Sequence, residues 1–471
     1  MRGVVEHIDR KQLRGRLTAG EAPARPATIE VLWQGSVVAE GEVAKPGAFA
    51  IDLPPIEGFA PRAAASALRV RAAPTDGSAP QELPVADALA LQLGWRAPAA
   101  MPEGRIAYLV LCARAPAIFG RTVRALRDAR DAVFAHVDSK IAQQPFEEAA
   151  AGCGVHFVAE RIDVTWGTFR MIEAELALIR AARAARGFER FVLLSDDSFP
   201  LRPVATIRAA VLSGRVGVPA RAMQPKDRYF LDRYEQFHFF GTRSAREGRR
   251  GYDAADAPAL RELAAFMETQ GKKPVRLHHG SQWVVLSAAD VEAIIEADAD
   301  QHLRRSFVYS MIPDEHYFHT ILAERPGFVA RPDAMYFDWS VTPGPRVFHA
   351  PEETLDALWS RRLFVRKIAP DALPVVEFLE AEITGGPPPA AVVAPPVSDA
   401  VLAVHPHWRA VLHLDLRLGR LRHEEHGSTG SFRLADGRLE VAWDRHAPET
   451  FAWRDGVYVH LSLLALSPGA R

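Results

Sequence analysis

The sequence predicts a doubly wound α/β domain in the middle of the chain, flanked by small all-β modules. Three observations predict it. From Arg105 to Leu201, buried-strand and helix patterns alternate. Residues 1–102 and 399–471 instead carry short runs of two-residue alternation, punctuated by turn residues. A Pro/Ala stretch, GGPPPAAVVAPPVS (385–398), has no packing pattern and reads as a semi-rigid linker before the last module.

In the first 102 residues, TIEVLWQGSVVAEGEV alternates apolar and polar residues around Gln34-Gly35, a hairpin signature. AFAIDLPP and ALRVRAAP read as further strands, so this stretch is expected to form a β-sandwich-like module. From 103 to 384 the pattern differs. IAYLVLC (106–112) is a continuous apolar run, suited to a parallel strand buried on both faces. PAIFGRTVRALRDA follows, with Ile118, Val123 and Leu126 on one helical stripe. AVFAHVD (132–138), VHFV (155–158) and FVLLS (191–195) are further strands. MIEAELALIRAARAA (171–185) is a helix with Ile172, Leu176 and Ile179 at helical spacing.

Residues 221–280 are polar, Arg-rich and aromatic, with no clean period, and read as a long substrate-facing loop region. GSQWVVLSAADVEAII (280–295) is a strand running into a helix, with Ser287 as its N-cap. PDEHYFHTIL (313–322) is a loop feeding a helix, and MYFDWS (335–340) and LFVRKI (363–368) follow. In the last module, SFRLADGRLEVAWD is a hairpin around Asp436-Gly437.

Composition narrows the function classes. The 471 residues are 48% apolar and 24% charged with a formal net charge of −1, so no global field points to nucleic acid or acidic membranes. The two cysteines, Cys112 and Cys153, are expected to be reduced and buried. The N-terminus lacks the apolar core of a signal peptide, and no apolar run reaches the ~18–20 residues that span a bilayer. A cytoplasmic protein is expected, with room for a peripheral place at the inner membrane through a partner or a lipid-linked substrate.

Ligands of doubly wound sheets sit outside the carboxyl ends of the strands. Four constellations lie at such places. Asp138 ends a buried strand, where it either accepts hydrogen bonds from a nucleoside or caps the next turn. Asp196 and Asp197 follow FVLLS. Adjacent side chains of an extended segment point opposite ways, so one is expected to face the site and the other to cap the next helix. Glu315, after Pro313 and Asp314 at a loop–helix junction, either serves as a general base or complements the helix N-terminus. Arg346, Arg366 and Lys367 either meet a developing negative charge or form a solvated basic run. No Walker A motif, GxGxxG fingerprint, CxxC pair, HExxH or G-x-S-x-G elbow is present.

Taken in order, HVDSK, WGTFRMIEAELAL, LLSDDSFPL, GSQWVVLS, PDEHYF, YFDWS and LFVRKI resemble the core-2/I-branching β-1,6-N-acetylglucosaminyltransferase family. This is glycosyltransferase family 14, which includes peptide O-xylosyltransferases, and the sequence looks like a bacterial member. The resemblance spans about 106–368. It implies a GT-A fold, a UDP-sugar donor, a glycan or glycoconjugate acceptor and an inverting displacement with no metal or other cofactor. By motif match it gives Glu315 the role of catalytic base. It places Arg346 and Lys367 on the diphosphate, and Asp138, Leu111 and Trp166 on the nucleotide side. Asp197, Ser281, Trp283, Asp314 and Trp339 fall around the donor and acceptor pocket. Two other readings stay open: a metal-dependent transferase using Asp196 or Asp197, and a non-catalytic glycan-binding protein on a transferase fold.

Overall fold

The computed structural model describes residues 2–18, 26–76, 78–85, 103–239, 257–341 and 344–384, a few residues of 89–93, and the strands between 400 and 460. The expected boundary at Pro102, the linker 385–398 and the Asp436-Gly437 turn lie outside the described residues.

The N-terminal segment forms two antiparallel sheets. Strands β1 (Arg2–Ile8), β2 (Gln12–Thr18) and β5 (Ala48–Asp52) make one, in the order β1-β2-β5. Strands β3 (Ala27–Trp33), β4 (Ser36–Val43), β6 (Leu68–Pro74) and β7 (Gln81–Leu83) make the other, in the order β4-β3-β6-β7. Val5, Leu13 and Leu17 from the first share a core with Ile29, Val31 and Val70 from the second. The β3–β4 hairpin closes at Gln34-Gly35, where both residues have positive φ (50° and 87°). Such a turn matches the twist of its flanking strands.

The central domain is built on a five-stranded sheet. Its strands are β8 (Ile106–Cys112), β9 (Ala132–Val137), β10 (His156–Phe157), β11 (Arg190–Ser195) and β15 (Val285–Ser287), in the order β10-β9-β8-β11-β15. The first four are parallel and β15 is antiparallel to β11. Every residue of β8 is buried, as its unbroken apolar run requires. The helix Arg170–Ala185 presents Ile172, Leu176 and Ile179 to the sheet. The chain steps outward from β8 to β10, then returns to place β11 on the other side of β8. A switch point therefore opens between the carboxyl ends of β8 and β11. Beyond β15, Ser287 caps the helix Ala288–Asp298 in a reciprocal capping box with Asp290.

Strands β12 (Phe199–Pro200), β16 (Met335–Tyr336) and β17 (Phe364–Val365) form a second small sheet, in the order β12-β17-β16. It continues the segment after β11 and draws Arg366 and Lys367 beside it: Ile368 N donates to Asp197 O at 3.0 Å.

Region 221–280 departs from the expected long loop. It holds β13 (Arg221–Ala222) paired with β14 (His278–His279), and the helices Arg228–Glu235 and Ala257–Thr269. The first helix buries Arg233 and Tyr234 in place of an aliphatic stripe, so its period carries no ordinary apolar signal. The thiols also differ from expectation: both are free and Cys112 is buried, but Cys153 is only half-buried.

Trp359 joins the central domain to the N-terminal sheets. It stacks on Phe59 with ring centroids 5.1 Å apart and donates its indole N–H to Phe59 O at 2.7 Å. The C-terminal strands, from Ala400–His405 to Val457–His460, close into a seven-stranded barrel. Among the described residues, no helix is long and apolar enough to cross a membrane.

Candidate active site

A cavity of about 400 Å³ opens at the switch point of the sheet. Of the expected site residues, Leu111, Asp138, Trp166, Asp197, Trp283 and Lys367 line it. Arg114, His136, Gln282 and Arg366 line it as well.

The two aspartates after β11 divide their work. Asp196 Oδ2 accepts three backbone N–H groups, from Ala113, Arg114 and Ala115, at 2.7–2.8 Å. It thus shapes the turn that leads from β8 into the helix Pro116–Ala125. This corrects the expected cap on the following helix. The parallel β8–β11 pairing brings the turn after β8 next to Asp196, whereas the helix Val204–Leu212 is entered through Pro203 without a side-chain cap. Burial and the neighbouring Asp197 charge push Asp196 above the usual carboxylate range, against the pull of those N–H groups.

Asp197 is 2% exposed and meets the cations. Arg366 reaches its carboxylate at 3.2–3.3 Å and Arg114 at 3.4 Å, while Ser195 donates to it at 2.5 Å. Burial pushes this carboxyl up, but Arg366, the Ser195 hydroxyl, Lys367 and Arg114 together hold it below its ordinary value. The Arg366 guanidinium also lies 4.3 Å from the Trp283 ring centroid, so an aromatic face and a carboxylate fix its plane.

On the other side of the cavity, Asp138 sits where β9 ends. Its Oδ1 accepts from Lys140 N and its Oδ2 from Lys140 Nζ, each at 3.0 Å. Lys140 is held in turn by Asp163 and by Val164 O. His136 accepts the Ile162 N–H on Nε2 at 2.8 Å, so its ring proton belongs on Nδ1. Burial lowers this imidazole to about 4, despite the Asp138 charge, and it is neutral near pH 7. Trp166 is 41% exposed at the mouth.

Glu315, Asp314, Ser281, Trp339 and Arg346 stand outside this lining. Glu315 lies behind the GSQW segment, with Gly280 N donating to its carbonyl at 3.0 Å. Its Oε2 accepts from Arg233 Nη1 at 2.6 Å, and His279 Nδ1 is 3.9 Å away. The side chain is 31% exposed. Asp314 is buried and pushed up to about 7 by burial and the Glu315 charge. Ser281 turns inward: its hydroxyl accepts from Trp283 N and its carbonyl contacts His319.

Arg346 is the clearest displacement from expectation. It is bound to Asp338 at 2.7 Å and to Glu353 at 3.3 Å, on the outer segment that also carries Trp339, which is 65% exposed. Arg366, not Arg346, stands with Lys367 in the cavity. Both arginines follow aromatic-rich runs in the sequence, and only the pairing of β17 with β12 and β16 decides between them. Arg114 and His136 were findable, since each flanks the carboxyl end of a buried strand. Arg233 and Gln282 carry no such signal. Among the described residues, no group of three or more His, Cys, Asp or Glu side chains is arranged to hold a metal ion.

Residues 106–358 match the Core-2/I-Branching enzyme family. Xylosyltransferase 2 of Bos taurus is 24% identical over 243 residues, or 49% of this chain and 26% of that protein. The chain thus aligns with about a quarter of that relative's length. With the family matched across more than half of its residues, the chain belongs to the Core-2/I-Branching enzyme family of glycosyltransferases.

Proposed function

We propose that this protein moves a sugar, N-acetylglucosamine or xylose, from a UDP-sugar to a hydroxyl of a glycan or related acceptor, with inversion and without a metal ion. The observation that carries this reading is the meeting of Lys367, Arg366 and Arg114 with Asp138 across one cavity at the switch point. Asp138 supplies carboxylate acceptors for the nucleoside. The cations stand where a diphosphate lies when the nucleotide enters from the Asp138 side. Fixed charges of this kind need no reorganisation as negative charge builds on the leaving phosphate.

In this reading Glu315 takes the proton of the acceptor hydroxyl. The acceptor oxygen attacks the anomeric carbon from the face opposite UDP, the bond to the phosphate oxygen breaks, and UDP leaves with the bonding pair. Lys367 and Arg366 stabilise that charge, and Arg233 holds Glu315 in place. Asp197 already engages Arg366 and Arg114, which favours cation-positioning over metal binding for this carboxylate.

The test is binding of UDP by thermal shift in EDTA. A ligand that binds only the native state at a hundredfold excess over its Kd stabilises it by ~2.7 kcal/mol. Stabilisation in the native protein, reduced in Lys367→Ala, supports the reading. No stabilisation, with or without Mn²⁺, would overturn it.

A further inference from the structure

Gln282 joins the cavity to a buried acid pair that the proposed mechanism leaves unused. Gln282 lines the cavity and donates its Nε2 to Glu175 Oε1 at 2.7 Å. Glu175, on the helix Arg170–Ala185, is 0% exposed, and its Oε2 has no partner. Asp314 is also buried, and its Oδ1 has no partner. Burial and the Asp314 charge raise Glu175 well above the usual range. Buried polar atoms without partners are uncommon and call for a reason. One of them belongs to Glu175, the partner of the side chain that enters the cavity, and the other to Asp314, whose charge acts on Glu175.

Glu175 Oε1 takes the amide N–H, so the amide oxygen is turned the other way. Gln282 Oε1 has no protein partner, yet it is not among the sealed, unpartnered atoms, so it remains open to an incoming group. Trp283, next to Gln282 in the chain, forms a cation–π pair with Arg366, and the same lining holds Lys367. An acceptor at this place lies next to the cationic end, where the sugar begins.

We propose that Gln282 selects the donor sugar by accepting a hydrogen bond from one of its hydroxyl or amide N–H groups, and that Glu175 is the positioning residue that orients the amide. This rests on the transferase reading and goes beyond it by assigning the choice of sugar to a residue. A site built to pair with a polar group of one substrate strongly rejects analogues that lack it, because its own polar atoms are then left unpaired.

The experiment compares the native protein with Gln282→Ala, Glu175→Ala and Glu175→Gln. Each is given UDP-N-acetylglucosamine, UDP-xylose, UDP-glucose and UDP-galactose, with donor hydrolysis and UDP affinity measured in parallel. Gln282→Ala is expected to cut kcat/KM for the preferred donor at least tenfold and to narrow its lead over the others, with UDP affinity within threefold. Glu175→Ala is expected to reproduce that narrowing. Glu175→Gln keeps an oxygen for the Gln282 N–H and is expected to retain the native ranking. Native ranking in Gln282→Ala would overturn the selector role. Loss of ranking in Glu175→Gln, or native ranking in Glu175→Ala, would overturn the positioning role. Absence of UDP binding in the native protein would instead overturn the transferase reading beneath both.

Discussion

Arg233 Nη1 stands 2.6 Å from Glu315 Oε2, and this arginine is itself buried between Tyr229 and Phe230, at 4.6 and 5.0 Å from their ring centroids. The proposed base is therefore held by a side chain that is itself packed against two aromatic rings of the helix Arg228–Glu235.

Glu315→Gln keeps the shape of this arrangement and removes the proton acceptor. General-base catalysis contributes ~10²–10⁴-fold, so kcat for sugar transfer should fall within that range while UDP affinity is retained. Steady-state kinetics beside a UDP titration checks this. Near-native turnover would remove Glu315 from the mechanism.

Lys367→Ala and Arg366→Ala should differ. Both weaken UDP binding, but Arg366 is a larger counter-charge than Lys367 to Asp197, which is 2% exposed, and hydrogen-bonds it directly. Removing one partner of a buried pair costs ~3–5 kcal/mol, so Arg366→Ala should lower the melting temperature more than Lys367→Ala does. Thermal melts of the two variants without ligand test the difference.

The contact between the N-terminal sheets and the central domain should respond to pH. Glu382 Oε2 accepts from Arg62 N at 3.2 Å, and burial pushes this carboxyl up to about 7, against the pull of Arg62. A folded-state value raised above the unfolded one means that the folded protein binds the proton more tightly. The contribution is full below the ordinary value of 4.5 and is lost as pH rises through about 7. Glu382→Gln should flatten the decline in stability across that window, whose limiting slope for one proton is ~1.4 kcal/mol per pH unit. Denaturant titrations at several pH values measure it.

Trp359→Ala should destabilise the protein by ~3–5 kcal/mol, the usual cost of truncating a buried tryptophan. It removes both the stack on Phe59 and the hydrogen bond to Phe59 O. A variant that melts like the native protein would show that the N-terminal sheets do not depend on this anchor.

What could be read from the sequence follows the physics of each element. Ile106–Cys112 was legible because a strand buried on both faces must be apolar at every position. Ser287 was legible as a cap, and Gln34-Gly35 as a turn, because both act locally. The helix Arg228–Glu235 was not, because its buried face carries Arg233, whose partner Glu315 lies far along the chain. Arg366 and Arg346 could not be separated, because only the small sheet β12-β17-β16 carries one of them into the cavity. Glu175 was hidden in a helix whose apolar stripe is its stronger signal, and its burial depends on Gln282 and Asp314 from distant segments.

The central claim is metal-independent transfer from a UDP-sugar, and turnover in a chelator tests it most directly. Purified protein is incubated with UDP-N-acetylglucosamine or UDP-xylose in EDTA, and UDP release is followed over time. The account predicts release from one of the two donors at a rate that Mn²⁺ does not raise and that Glu315→Gln lowers. Release only after Mn²⁺ is added, or release that Glu315→Gln leaves unchanged, would contradict it.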